Sequence, residues 1–337
     1  MAIQKSFNYI NKYSKTIIIA AALTMLAAFP ANSASIEEFQ TEEYYGSGGL
    51  DIINAAEAYS KGYTGKGVTI GINDSPVNFE HESFSDKTGS KYIGSQELNG
   101  IDWKENDHGT HVGGIAAGAK NGKDMHGVAF NAEIVNTSFL AAEDDDFSKY
   151  DSFSQVKIIN NSWNTAYCID GVYTSDEIDE DLTPDKALDN LITYLTSLNY
   201  NLRRKPLFDT ASKDKLLIFS SGNNGFPDKD LMFHLPLLFK YDGCNNIITV
   251  TAALNSYGEN KHLVRNPDGS ITGDFINAPF SNLAKYYEDS TISAPGWNIY
   301  SSNATNKNDY ILMSGTSISA PFVILVEQHL YNRLFHI

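Results

Sequence analysis

The sequence predicts an α/β fold: a doubly wound, mostly parallel sheet with helices on both faces. Three observations carry this. Short runs rich in Val, Ile, Leu and Phe recur between helical stretches, which is the pattern of βαβ units. Most of these runs are apolar throughout rather than alternating, as strands covered on both faces are. Polar or glycine-rich turns follow them, and open α/β sheets gather their sites at the carboxyl ends of the strands. The 337 residues, 42% hydrophobic and 20% charged, suit one globular domain of this class.

The first residues stand apart from that fold. Lys5, Lys12 and Lys15 precede the apolar run Thr16–Phe29, and Pro30 and the small residues Ala31–Ser35 follow it. Charged region, apolar region and small-residue cleavage site in this order make residues 1–34 a secretory signal peptide. The run is shorter than the roughly 20 apolar residues a good transmembrane helix needs. Residues 35–49 are polar and end in Gly46-Ser-Gly-Gly49, which predicts a flexible lead-in. Residues 50–337 form the expected domain.

Within it, Leu50, Ile53, Ala56 and Ala58 predict an amphipathic helix over Leu50–Tyr59, closed by Gly62. Gly67–Asn73 reads as a buried strand that ends at Asp74, because Pro76 cannot continue a central strand. A carboxylate there also fits an ordinary turn. His108–Gly118 is a helix poor in propensity, with glycines that allow close packing against other backbone. Asn106 or Asp107 can cap it, and His108 and His111 lie one turn apart on one face. The pair lacks the helical Glu and third ligand of a zinc site. Ala132–Leu140 and Val156–Ser162 predict strands, with the acidic Glu143–Asp146 between them. A polar loop over Asp170–Asp185 and a helix over Leu188–Leu198 follow. Strands are then expected at Leu216–Ser221, Asn246–Ala253 and Ile292–Gly296.

A net charge of −16 argues against nucleic acid and anionic membrane as partners. Cys168 and Cys244 are the two cysteines; export would permit a disulfide, but sequence does not fix their separation. No pattern calls for a cofactor, and no acidic loop has a calcium-ligand spacing.

Ser314-Gly-Thr-Ser-Ile-Ser-Ala-Pro321 sets Ser317 at a helix start, where backbone N–H groups can stabilise an anion on a neighbouring atom. A nucleophilic serine needs that setting, although a plain helix cap uses the same residue types. This string follows Gly71-Ile-Asn-Asp-Ser75 and His108-Gly-Thr-His111, in the order Asp, His, Ser. Together the three resemble the subtilisin-like serine proteases, the subtilases. Ile159-Asn-Asn-Ser-Trp163, Ser220-Ser-Gly-Asn-Asn-Gly225 and Ser293-Ala-Pro-Gly296 extend the resemblance over about Leu50–Pro321. Leu50–Tyr59 and Gly62–Gly67 are most similar to the subtilase passengers of Gram-negative autotransporters.

The resemblance implies an exported, cofactor-independent serine endopeptidase acting on proteins or peptides, as a monomer in the periplasm or outside the cell. Ser317 would be the nucleophile, His108 the base, Asp74 its orienting carboxylate and Asn223 an oxyanion-hole donor. Ser162, Trp163, Ser220, Ser221 and Gly222 would flank the substrate's first pocket, although Trp163 also suits a core aromatic. Glu143–Asp146 fall where the family lines upstream subsites, which suggests basic substrate residues there; a solvated loop is the more ordinary reading of such a run. Three departures stand against the family pattern: Ser75-Pro76 after Asp74, no room for an inhibitory propeptide between Ser35 and Leu50, and bulky residues after Pro321. The last predicts overpacking and a C-terminally incomplete domain. A truncated, inactive fragment and a binding module on a retained protease scaffold are the alternative readings.

Overall fold

The computed structural model describes residues 34–94, 107–138, 146–163, 215–223, 225, 246–254, 276–283 and 290–324. Strands β1 (Thr69–Asn73), β2 (Lys91–Tyr92), β3 (Glu133–Thr137), β4 (Val156–Asn161), β5 (Leu216–Ser220), β6 (Ile247–Leu254), β7 (Ile276–Asn277) and β8 (Thr291–Pro295) form one sheet. Its order is β2-β3-β1-β4-β5-β6-β8, with the short β7 pairing with the carboxyl end of β6 on the side opposite β8. All pairs are parallel except β6 with β7. The expected α/β sheet is therefore present, and its central strands are the apolar runs. Ile70, Ile72, Ile134, Ile158, Ile218 and Val250 from five of them are buried in the core.

Helix α3 (His108–Ala117) packs on β1 and β3. Its glycines are needed where backbone comes close: a side chain at Gly109 would collide with the Ser75 carbonyl. An antiparallel hairpin that the sequence did not suggest, β9 (Ile299–Ser302) and β10 (Tyr310–Met313), covers α3 and leads into α4 (Thr316–Ser319). A 3-10 turn over Ala320–Val323 continues it, and Pro321, which has no N–H, leaves the Ser317 carbonyl to accept from the Ser162 hydroxyl instead.

The lead-in expected to be free is packed. Helix α1 (Glu42–Gly46) is capped by Thr41, whose hydroxyl accepts from the Tyr44 N–H. Tyr44 is wholly buried and its hydroxyl donates to the Leu50 carbonyl at 3.0 Å. The Glu43 carboxylate accepts from the N–H groups of Asn121 (2.7 Å) and Gly122 (3.1 Å). Aromatic side chains hold this segment: Phe39 and Tyr44 lie against Tyr59. The next helix, α2 (Ala55–Ser60), starts later than expected because Asn54 is left-handed, with φ of 55°, and ends a turn rather than continuing a helix.

The first three residues after Pro321 also find room. Phe322, Val323 and Ile324 are buried in the core, and the Phe322 ring occupies the space where Gly49 has no side chain. The expected signal peptide, both cysteines, Glu143–Asp145, the expected loop over 170–185, the expected helix over 188–198 and the C-terminal residues 325–337 lie outside the described residues. Among the described residues, no helix is long and apolar enough to cross a membrane.

Candidate active site

Two strand ends and two helix starts meet at one edge of the sheet. Asp74 follows β1 and is wholly buried; its N–H donates to the Thr137 carbonyl at the end of β3. His108 is the first residue of α3, and its side chain is 33% exposed. The imidazole Nδ1–H donates to Asp74 Oδ1 at 2.7 Å, which leaves Nε2 for the cleft. The Ser75 N–H donates to the same Asp74 oxygen, and the Ser75 hydroxyl accepts from the Gly109 N–H, both at 2.7 Å. The Ser75-Pro76 departure therefore leaves the carboxylate in place. Asp74 Oδ2 is buried without a hydrogen-bond partner among the described residues.

Burial alone would lower the titration of His108. The charge of Asp74 and its hydrogen bond outweigh that and raise it above the ordinary value. His111, one turn on, behaves differently. It is buried away from the cleft and burial holds it neutral down to about 3. Among the described residues no group of three or more His, Cys, Asp and Glu could hold a metal ion.

Ser317 is the second residue of α4 and lies on the same cleft as His108. Its carbonyl accepts from the Ser162 hydroxyl at 2.6 Å. Asn223, at the turn after β5, uses its amide oxygen to accept from the Thr316 N–H (2.8 Å) and hydroxyl (3.0 Å). Those bonds hold the amide beside the start of α4. A methyl group placed at Gly315 would lie 3.0 Å from Ser317 Oγ and 3.3 Å from Asn223 Nδ2. Gly315 thus leaves a small space open between a hydroxyl and an N–H donor.

Asp74, Ser75, His108, Ser162, Trp163, Ser220, Gly222, Asn223, Thr316 and Ser317 line this cleft. Of the residues expected here, Ser221 is the exception. It is buried and its hydroxyl donates to the Asn282 carbonyl. Successive residues of an extended strand point to opposite sides, so Ser220 and Ser221 cannot both face the cleft. Trp163 lines the cleft while its ring meets Phe219 edge-on, 6.2 Å between centroids. Sequence reading missed Thr316, whose hydroxyl also accepts from the Gly222 N–H at 2.9 Å, and Ser75. Their value lies in contacts across the fold that no local spacing announces.

A family model for the subtilase family matches residues 65–325. The chain belongs to the subtilase family. An extracellular serine protease of Serratia marcescens is 31% identical over 91% of this chain and 32% of its own length. A second extracellular serine protease of that organism is 29% identical over 87% of the chain and 30% of its length. The chain thus spans about a third of these relatives. Among solved structures, the prenylagaramide maturation protease PagA superposes with a TM-score of 0.52 at 19% identity, over 83% of this chain and 81% of that one. At that identity the match speaks for the fold alone, and it agrees with the parallel sheet described above.

Proposed function

We propose that this chain is an exported serine endopeptidase that cleaves proteins or peptides through Asp74, His108 and Ser317. The observation that carries this is the part-buried 2.7 Å bond from His108 to Asp74 beside a cleft shared with Ser317 and Asn223. A serine hydroxyl is a weak nucleophile until a base takes its proton. His108 takes it at Nε2, while Asp74 holds the imidazole in the tautomer with Nδ1–H and stabilises the imidazolium that forms. Ser317 Oγ attacks the scissile carbonyl. The resulting oxyanion occupies the space beside Gly315, within reach of Asn223 Nδ2 and the Ser317 N–H. A single side-chain donor of this kind in this family is worth about 10²–10³ in kcat. Collapse of the intermediate passes the proton from His108 to the leaving amine and leaves an acyl group on Ser317. Water, activated by the same histidine, then releases the acid.

The extracellular relatives and the predicted signal peptide support export, and the net charge of −16 fits a soluble partner of peptides rather than of nucleic acid. The test is labelling of the full chain with a fluorophosphonate, beside Ser317→Ala. Labelling of the parent alone is expected, followed by cleavage of a casein or peptide-library substrate. Equal labelling of both, or none in a folded parent, would remove Ser317 as the nucleophile.

A further inference from the structure

His111 was noticed in the sequence for its place one turn after His108, and the proposed chemistry gives it no task. It is wholly buried. Its Nε2–H points between the two strands of the hairpin and is shared by the carbonyls of Ile299 on β9 (3.1 Å) and Ile311 on β10 (3.2 Å). The Ser301 hydroxyl of β9 returns a bond to the His111 carbonyl at 2.8 Å. Nearer the helix start, the Asp107 carboxylate accepts from the Ala304 N–H in the hairpin loop, also at 2.8 Å. The hairpin then runs straight into the nucleophile turn: β10 ends at Met313, and Gly315 donates its N–H to the Gly296 carbonyl, just before β9.

Helix α3 carries His108 and the hairpin carries the approach to Ser317. We propose that His111 is a positioning residue: its Nε2–H locks β9 and β10 onto α3 and so sets where Ser317 stands relative to His108. This rests on the active-site reading above. The bond is well suited to the task. One donor spans two strands, and neither carbonyl has a side chain that could be swapped for another partner. Removing the donor leaves two buried carbonyls without it, a cost that falls on the hairpin rather than on the cleft. Misplacement of a reacting group by about 1 Å can cost about 10²-fold in rate. Asp74 is the charged group acting on His108 among the described residues; His111 itself stays neutral, so its role is donation and not charge.

The test uses where a donor can reach. A glutamine amide nitrogen falls near the position of imidazole Nε2, and an asparagine amide near that of Nδ1. In the full chain, His111→Gln is expected to keep fluorophosphonate labelling within about threefold of the parent. His111→Asn and His111→Leu are expected to slow it at least tenfold, with kcat falling and KM for peptide substrate unchanged. Hydrogen exchange of the peptide spanning Tyr310–Ser317 needs no activity. It should quicken in the Asn and Leu variants and stay at the parent level in the Gln variant. Parent-like labelling and exchange in folded His111→Leu would overturn the proposal, as would a Gln variant as poor as Leu. If the Asn and Leu variants do not fold, Ser301→Ala takes their place, and parent-like exchange and labelling there would overturn it equally. A parent that takes no label, with exchange that still quickens in the Asn and Leu variants, would sink the active-site reading and with it the positioning role, leaving only the clamp of the hairpin onto α3.

Discussion

At the scale of single residues, Asp74 controls how His108 titrates. Burial pushes the imidazole towards neutrality, and the carboxylate at 2.7 Å reverses the direction. In the proposed mechanism, labelling of Ser317 requires neutral His108 as base, so its rate should rise with pH through a midpoint above the ordinary value of about 6.5. Asp74→Asn removes the charge and keeps the shape. Burial then acts alone, and the midpoint should drop below about 6.5 while the limiting rate falls by about 10⁴, the size seen when a triad carboxylate becomes an amide. A midpoint that stays put in Asp74→Asn would show that His108 does not answer to Asp74. The same bond has a consequence for folding, with its sign fixed by the raised value. It stabilises the fold below about 6.5, where His108 is charged in both states, and that gain is lost as pH rises through the folded midpoint.

At the scale of elements, the sequence was most legible where burial is two-sided. The five central strands were readable because continuous apolar runs have one good place in an open α/β domain. The hairpin β9–β10 was not, because its four-residue strands flank the polar loop Asn303–Asp309 and lack a pattern long enough to read. The strings around Asp74, His108, Asn223 and Ser317 announced the site, since each needs particular residue types at a turn. Ser221 was misplaced because motif reading ignored strand alternation. The lead-in was misread for a related reason. Its glycines suggested freedom, yet Gly49 is there to admit the Phe322 ring, and Gly46 to let the Asp124 carbonyl approach. The two ends of the described domain are therefore coupled. Gly49→Ala should destabilise the chain by about 1–3 kcal/mol through overpacking. Urea unfolding would read it, and Phe322→Leu in the same chain should recover part of the loss. A Gly49→Ala chain as stable as the parent would mean that Phe322 has another place to go.

At the scale of the whole molecule, stability should decline on the acid side before most carboxylates titrate, because two histidines are buried neutral. His111 is held neutral to about 3 and His126 to about 4, in both cases chiefly by burial. His126 sits among the rings of Tyr44, Tyr59 and Phe130, donates Nδ1–H to the Gly127 carbonyl at 2.9 Å, and has no partner for Nε2 among the described residues. The unfolded chain protonates both near 6.5, so their contribution is complete above that pH and is lost as pH falls towards the folded values. Each can cost up to about 1.4 kcal/mol per pH unit in that window. His126 also packs on the two tyrosines that anchor the lead-in, so acid should release the N-terminal strap early. His126→Phe fills the ring-lined space without a titrating group. It gives up the bond to Gly127 and should be somewhat less stable at pH 7. Between pH 6.5 and 4 its stability, measured by urea unfolding at several pH values, should fall less steeply than the parent's by about one proton's worth. An unchanged slope would mean that His126 is protonated within the fold, and that the aromatic cage accepts a cation after all.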